Sequence, residues 1–311
     1  MPPVWAVWSR AQNLAAMKMA AGMEGPEINI NSCPLTDLLS GGRHDKVHNM
    51  MNTKNLIAID THSHYNTGSE FDTKTDATYS ADLNFLRKTS QNAKIGPIFA
   101  STFSSVLNRR EVVSENHQNF LAAQKYPWLY QWVVVEPDND ESFAQAGEML
   151  KNKKCVGIKI HSVCHNYSIK AHGEKIFSFA AENQAIVLMH PPSYSDKSEL
   201  EDLLPFANAY STMTLIIAHL GSVEQVEVVK RAAHGNVYLD TSGNASTKNQ
   251  VIEYAVSEIG SEKILFGTDT YAVGFQRGRI EYAMISARDK QNILRYNALK
   301  LFKDKLPADG E

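Results

Sequence analysis

Residues 214–240 read TLIIAHLGSVEQVEVVKRAAHGNVYLD, and the order of residue types in this stretch decides the fold. An apolar, β-branched run stops at His219. Ser222 and Gln225 then stand at the spacing of a helix capping box, apolar residues recur at helical spacing, and Gly235 supplies a stop. A second apolar run, NVYLD, ends on Asp240. This is a strand, a helix and a second strand, and runs that are apolar throughout rather than alternating suit parallel strands covered on both faces.

The same pattern recurs along the chain. NLIAID (55–60), AKIGPIFAS (93–101), LYQWVVVEP (129–137), CVGIKIH (155–161), AIVLMH (185–190) and KILFGTD (263–269) are further runs of this kind, each closing on or near a polar residue. With the two above, they make eight strands in series separated by helix-like segments. The expectation is an α/β fold, a (β/α)8 TIM barrel over residues 55–311 with an N-terminal extension, residues 1–54. An open doubly wound sheet would carry a G-x-G-x-x-G turn after its first strand, and that motif is absent. Within the extension, residues 34–53 are expected to form short helices against the barrel. The segment ARDKQNILRYNALKLFK (287–303) reads as a closing amphipathic helix.

Bulk composition removes several classes of function. Hydrophobic residues make up 43% and charged residues 21% of the 311, and the net charge is -3. No basic run interleaves with aromatics, so nucleic acid is not an expected partner. No apolar run approaches the roughly 18 residues of a membrane span. The opening segment has no basic residue ahead of its short apolar piece, which argues against a secretory signal. Cys33, Cys155 and Cys164 are too scattered for a disulfide framework or a C-x-x-C knuckle. The expectation is a cytoplasmic protein acting on a small-molecule substrate, with a homo-oligomer as one assembly compatible with the sequence.

In a barrel of this type the carboxyl ends of all strands open onto one face, where the loops build the site. His62 and His64 stand at that end of the first run, two apart and therefore on the same side of an extended chain. Lys159 and His161 end the fourth run, His190 the fifth, His219 the sixth and Asp269 the eighth. Five of the eleven histidines thus gather at strand ends, which scattered surface histidines would not do. Each has a plainer reading: His190 before Pro191 as a turn histidine, Asp269 as a helix cap, Lys159 as a counter-charge. A metal site accounts for all of them together, because coordination needs convergent N and O ligands from different strands.

The motifs DTHSH, GIKIH, VLMHPP, IIAHLG, VYLDTSG, LFGTD and the terminal NALKLF, in that order, resemble the amidohydrolase superfamily. The match is to the amidohydrolase-related branch that includes aminocarboxymuconate-semialdehyde decarboxylase, and it runs over roughly residues 55 to 303. The resemblance implies that His62, His64, His190 and Asp269 are ligands of a catalytic divalent ion. It implies that His219 acts on the substrate or binds a second ion, and that Lys159 stands where two-metal relatives carry a carbamylated lysine. His161 falls where relatives of this branch often have a polar or metal-proximal residue, and it is a candidate substrate contact. Zinc is the first expectation, with manganese or another divalent ion as the alternative, and one or two ions per chain.

A divalent ion with an open position brings the pKa of its water to near 7. Asp269 would take the water proton, and His219 would polarise the carbonyl under attack. Hydrolysis of an amide, lactone or ester is therefore the expected reaction. The alternative keeps the metal and decarboxylates or hydrates an unsaturated or aromatic carboxylate held by a nearby cation. Arg109, Arg110, Arg277, Arg279 and Lys159 are the candidates for that cation, and a solvated surface charge is the plainer reading of each arginine. A non-catalytic metabolite-binding barrel is a third reading, and it predicts an eroded ligand set that the sequence does not have. Relatives often follow the GTD aspartate with a small residue, Pro and an aromatic, whereas Thr270 leads straight to Tyr271, a candidate substrate contact.

Overall fold

The computed structural model describes residues 53–68, 81–192 and 197–307. The expectations for the N-terminal extension fall almost wholly on residues outside that range, as does most of the loop after the first strand. Eight strands, all parallel, follow one another around a single sheet in the order of the sequence. They are β1 (Ala58–Tyr65), β2 (Ile95–Thr102), β3 (Leu129–Val134), β4 (Cys155–Ile160), β5 (Ile186–Met189), β6 (Thr214–Ile217), β7 (Val237–Asp240) and β8 (Ile264–Leu265). Past its last residue β8 turns onto β1: Thr61 N donates to Phe266 O at 2.9 Å and Thr268 N to His62 O at 3.0 Å. The ring is a (β/α)8 barrel.

Every residue of β1, β3 and β4 is buried, as the near-continuous apolar runs require when helices cover one face and the barrel interior the other. The interior floor gathers Ile59, Phe99, Trp132, Val156, Leu188, Ile216 and Leu265, one from nearly every strand, around Phe302 from the end of the chain. The Phe302 ring sits 4.8 Å from that of Phe99 and 5.8 Å from that of Trp132, both edge-on. A second, outer core joins the other strand face to the helices. Each large aliphatic side chain fully buried in these layers contributes about 2 kcal/mol.

Three boundaries differ from the sequence expectation. β1 runs past Asp60 to Tyr65, so His62 and His64 lie inside a strand rather than after it. Ile59 faces the floor while the histidines, odd numbers of residues further on, face the centre, and a register irregularity between Asp60 and Ser63 makes that change of side. The helix Val223–Arg231 carries the expected Ser222/Gln225 capping box but stops at Ala232, short of Gly235, because Ala232 turns extended (φ -69, ψ 115). The closing helix is interrupted: Ala287–Gln291 and Asn297–Leu301 flank a π-helical turn, Asn292–Tyr296. Asn297 beyond that turn donates to the carbonyls of Ser261 and Ile264, both at 2.7 Å, tying the helix to the base of β8.

Gly157 marks a close crossing between β4 and β5. A Cβ there would stand 2.2 Å from Ile186 O and 2.6 Å from the Trp132 ring. Gly157→Ala is expected to cost about 3 kcal/mol of stability, since one obstacle is backbone and cannot rotate away. Urea denaturation measures this, and a variant as stable as the parent would mean that β4 and β5 can separate freely.

Candidate metal centre

The centre is built outward from β1. His62 Nδ1 lies 2.8 Å from Asp240 Oδ2 and 2.9 Å from Ser242 Oγ, while His64 Nδ1 lies 3.0 Å from Ser101 Oγ. With each Nδ1 so engaged, the Nε2 atoms are left to offer their lone pairs inward. They are 3.2 Å apart. Asp269 Oδ1 stands 3.2 Å from His64 Nε2 and 3.6 Å from His62 Nε2. Two ligands about 2.05 Å from one ion at tetrahedral angles are about 3.3 Å apart, so the three donors fit one cation. His62, His64 and Asp269 form a group able to hold a metal.

Backbone strain delivers the carboxylate. Asp269 (φ 56) and Thr270 (φ 63) are both left-handed, as is His219 (φ 62). Hydrogen bonds over-determine this turn: Asp269 N donates to His62 O at 2.7 Å, and Thr270 Oγ1 accepts from His64 N at 2.8 Å while donating to His64 O at 2.5 Å. Asp60 completes the seam, accepting from Thr268 Oγ1 at 2.6 Å and from His62 N at 3.1 Å. Gly243 (φ +69) leaves the room, since a Cβ there would lie 2.8 Å from His219 Nδ1 and 3.3 Å from Asp269 Oδ2.

Lys159, fully buried at the end of β4, places Nζ 2.9 Å from His62 Nε2, so it faces the same point. Burial brings its ammonium down to about 8 and the imidazole of His62 down to about 3, and holds His64 below its usual range. The histidines are neutral, the state a metal ligand needs. His219 sits one ring away from His62, with centroids 5.0 Å apart, and its Nδ1 is 3.2 Å from Ser242 O. His62, His219 and Asp240 form a second donor group, within which Asp240 Oδ2 already lies 2.8 Å from His62 Nδ1.

Other expected residues are placed differently. His190 is not in either donor group among the described residues; its ring packs 5.0 Å from that of His219 and stacks on that of His161 at 3.9 Å. Arg109 is held at the rim, 2.7 Å from both Glu136 Oε1 and Asp138 Oδ2. Arg277 is at the opposite end of the barrel, its guanidinium bonded to the carbonyls of Thr53, Leu56, Ala93 and Lys94 and to Glu281. Arg279 pairs with Glu253 at 2.9 Å. Tyr271 is half-buried, its N–H closing a turn on Thr268 O at 3.1 Å.

Sequence reasoning missed Asp240, Ser242, Ser101 and Asp60. Asp240 accepts from His62 Nδ1, His219 N (3.0 Å), Ser242 N (2.9 Å) and Ser242 Oγ (2.5 Å). Burial opposes its charge, but His62, His219 and Ser242 hold the carboxyl well below the usual range. The signal was present in VYLDTSG: an acid ending an apolar run, like the other strand-end residues.

Beside the centre, buried His165 donates Nε2–H to Ser105 O (3.1 Å), and its Nδ1 has no partner. A proton there would sit unpaired in the core, and burial accordingly pushes the imidazole down to about 4 from 6.5. The unfolded chain binds this proton first, so the stability His165 confers is complete above pH 6.5 and lost as pH falls through about 4. The loss amounts to about 3 kcal/mol. His165→Asn is expected to flatten the stability profile across that window, as read by urea denaturation at several pH values; an unchanged slope would assign the acid sensitivity elsewhere.

Imidazoles and a carboxylate so spaced at the carboxyl ends of parallel barrel strands define the class, a TIM barrel with a group able to hold a divalent metal ion. The family follows from sequence. The amidohydrolase family model matches residues 59–303, and the chain belongs to that family. No curated protein sequence matches it. Among solved structures, 2,6-dihydroxybenzoate decarboxylase from Rhizobium is similar at 13% identity and TM-score 0.65, covering 80% of this chain and 99% of that one. A dihydroxybenzoic acid decarboxylase from a Polaromonas species, with bound manganese, is 17% identical at TM-score 0.63, covering 80% and 98%. A candidate 2-pyrone-4,6-dicarboxylic acid hydrolase from Pseudomonas putida is 19% identical at TM-score 0.61, covering 81% and 99%. These likenesses concern the fold.

Proposed function

We propose that the protein is a hydrolase that binds one divalent ion, zinc or manganese, through His62, His64 and Asp269 and cleaves a lactone, amide or ester. The observation carrying this is the spacing of the three donors, 3.2, 3.2 and 3.6 Å, around one point. A single ion is favoured because, in the second donor group, Asp240 is already hydrogen-bonded to His62 Nδ1 at 2.8 Å. Bound there, a divalent ion supplies a water whose pKa is lowered to near 7. Asp269 then accepts the water proton on its carboxylate and returns it to the leaving group. His219, its Nδ1 donating to Ser242 O at 3.2 Å, keeps its lone pair on Nε2, which can accept a hydrogen bond from the attacking water or from a substrate hydroxyl. Lys159 adds a buried positive charge beside the carbonyl oxygen.

The decarboxylase reading draws on that same lysine. Its Nζ is directed at the centre, where it can pair with a substrate carboxylate, whereas Arg277 and Arg279 are bound elsewhere. Three similar folds carry the two reactions between them, decarboxylation in the Rhizobium and Polaromonas proteins and pyrone hydrolysis for the Pseudomonas candidate. The test loads the protein with zinc or manganese and offers lactones, amides, esters and aromatic or unsaturated carboxylates. New acid without carbon dioxide supports hydrolysis, carbon dioxide release overturns it in favour of decarboxylation, and metal binding with no turnover across the panel supports the binding barrel.

A further inference from the structure

Ser242 stands where three groups of the site meet, and it is wholly buried. Its Oγ lies 2.5 Å from Asp240 Oδ1, 2.9 Å from His62 Nδ1 and 2.9 Å from His219 Nδ1. A hydroxyl has one proton to give and two lone pairs with which to accept. The Asp240 carboxyl is held well below the usual range and has no proton of its own. The proton between the two oxygens is therefore that of Ser242, in a bond strengthened by the carboxylate charge. Only lone pairs then face the two imidazoles, and each ring has to turn an N–H toward them. That puts the proton of neutral His62 and of neutral His219 on Nδ1.

We propose that Ser242 is a positioning residue for His219, its hydroxyl carrying the influence of Asp240 one bond further and holding the His219 ring as the Nδ1–H tautomer. His62 also meets the carboxylate directly, Oδ2 at 2.8 Å, whereas Asp240 is bonded to the backbone N of His219, at 3.0 Å, and reaches its ring through Ser242. The Ser242 carbonyl approaches the same ring nitrogen at 3.2 Å, the longer of the two contacts. Gly243 (φ +69) makes this double approach sterically open, since a Cβ there would lie 2.8 Å from His219 Nδ1. One carboxylate thus sets two imidazoles, the first by contact and the second through a hydroxyl. What His219 then does, accepting a hydrogen bond on Nε2 from the reacting groups, rests on the hydrolase reading above; its tautomer depends on no metal.

Two-bond ¹H–¹⁵N correlation spectra of the metal-free protein read the tautomer of each imidazole, with the His62 and His219 signals assigned from His62→Asn and His219→Asn. In the parent both rings are expected to be Nδ1–H. Ser242→Ala keeps Asp240 and the backbone carbonyl and removes only the hydroxyl. The tautomer ratio of His219 is then expected to move about tenfold toward Nε2–H, the effect of one lost hydrogen bond, while His62 stays Nδ1–H on Asp240. A merely structural role for the hydroxyl would leave the tautomer where it was. A parent His219 with its proton on Nε2 overturns the proposal, and this arm needs no variant to fold. A parent-like ratio at His219 in Ser242→Ala also overturns it, since the carbonyl alone then holds the ring. Equal shifts at His62 and His219 overturn it by assigning the change to Asp240. Mn²⁺ titration of the parent tests the metal reading by itself: no binding overturns that reading and leaves the tautomer result standing.

Discussion

Replacing Asp269 with asparagine is expected to lower turnover about 10³-fold at saturating metal, the loss typical of a positioned general base. The amide keeps the volume and can still present one oxygen where Asp269 Oδ1 stands, 3.2 Å from His64 Nε2. What it loses is the negative charge and the capacity to accept a proton. Burial alone would raise the pKa of this carboxyl, yet the imidazoles of His219, His64 and His62 hold it well below the usual range. The parent group is thus ionised at every working pH. Steady-state kinetics on whichever substrate the panel yields, with excess metal, measures the effect; turnover within tenfold of the parent would remove Asp269 from proton transfer.

Asp240→Asn is the second large effect, and it acts one bond further out. The Asp240 carboxylate takes four hydrogen bonds from three residues, including the one that commits His62 Nδ1 and so frees His62 Nε2. An asparagine must turn its NH2 either toward the backbone N–H groups of His219 and Ser242, which cannot accept, or toward His62 Nδ1, which accepts only by moving its proton to Nε2. The expected cost is about 3 kcal/mol of stability, together with a 10- to 100-fold loss of metal affinity (about) as His62 loses its fixed tautomer. Chemical denaturation and metal titration read the two separately. Lost stability with unchanged metal affinity would reduce Asp240 to a structural residue.

The barrel was legible because its strands are buried on both faces: LYQWVV and CVGIKI need no partner's identity to be recognised as strands. The donors His62, His64 and Asp269 could be picked out because strand ends in such a fold share one face. Asp240 was harder, since its meaning depends on a ring 178 positions earlier in the chain, brought beside it only when the sheet closes. The arginines were harder still. A guanidinium on a long side chain takes its partner from packing, and Arg277 reaches carbonyls more than 180 residues away at the far end of the strands. His190 was legible as a strand-end histidine, but its stack on His161 at 3.9 Å is a contact between two side chains and leaves no trace in spacing.

Phe302 closes the interior floor, and the seam between β8 and β1 places Asp269 beside His62 and His64. Both depend on residues that leave the ribosome long after β1. During synthesis, β1 with its two histidines leaves the ribosome long before the strand that borders it, so about two hundred residues must be made while one edge of the nascent sheet stays open. The donor triad cannot exist in a nascent chain that stops short of Asp269. A growing polypeptide therefore has no complete cation site until β8 has emerged and the ring shuts.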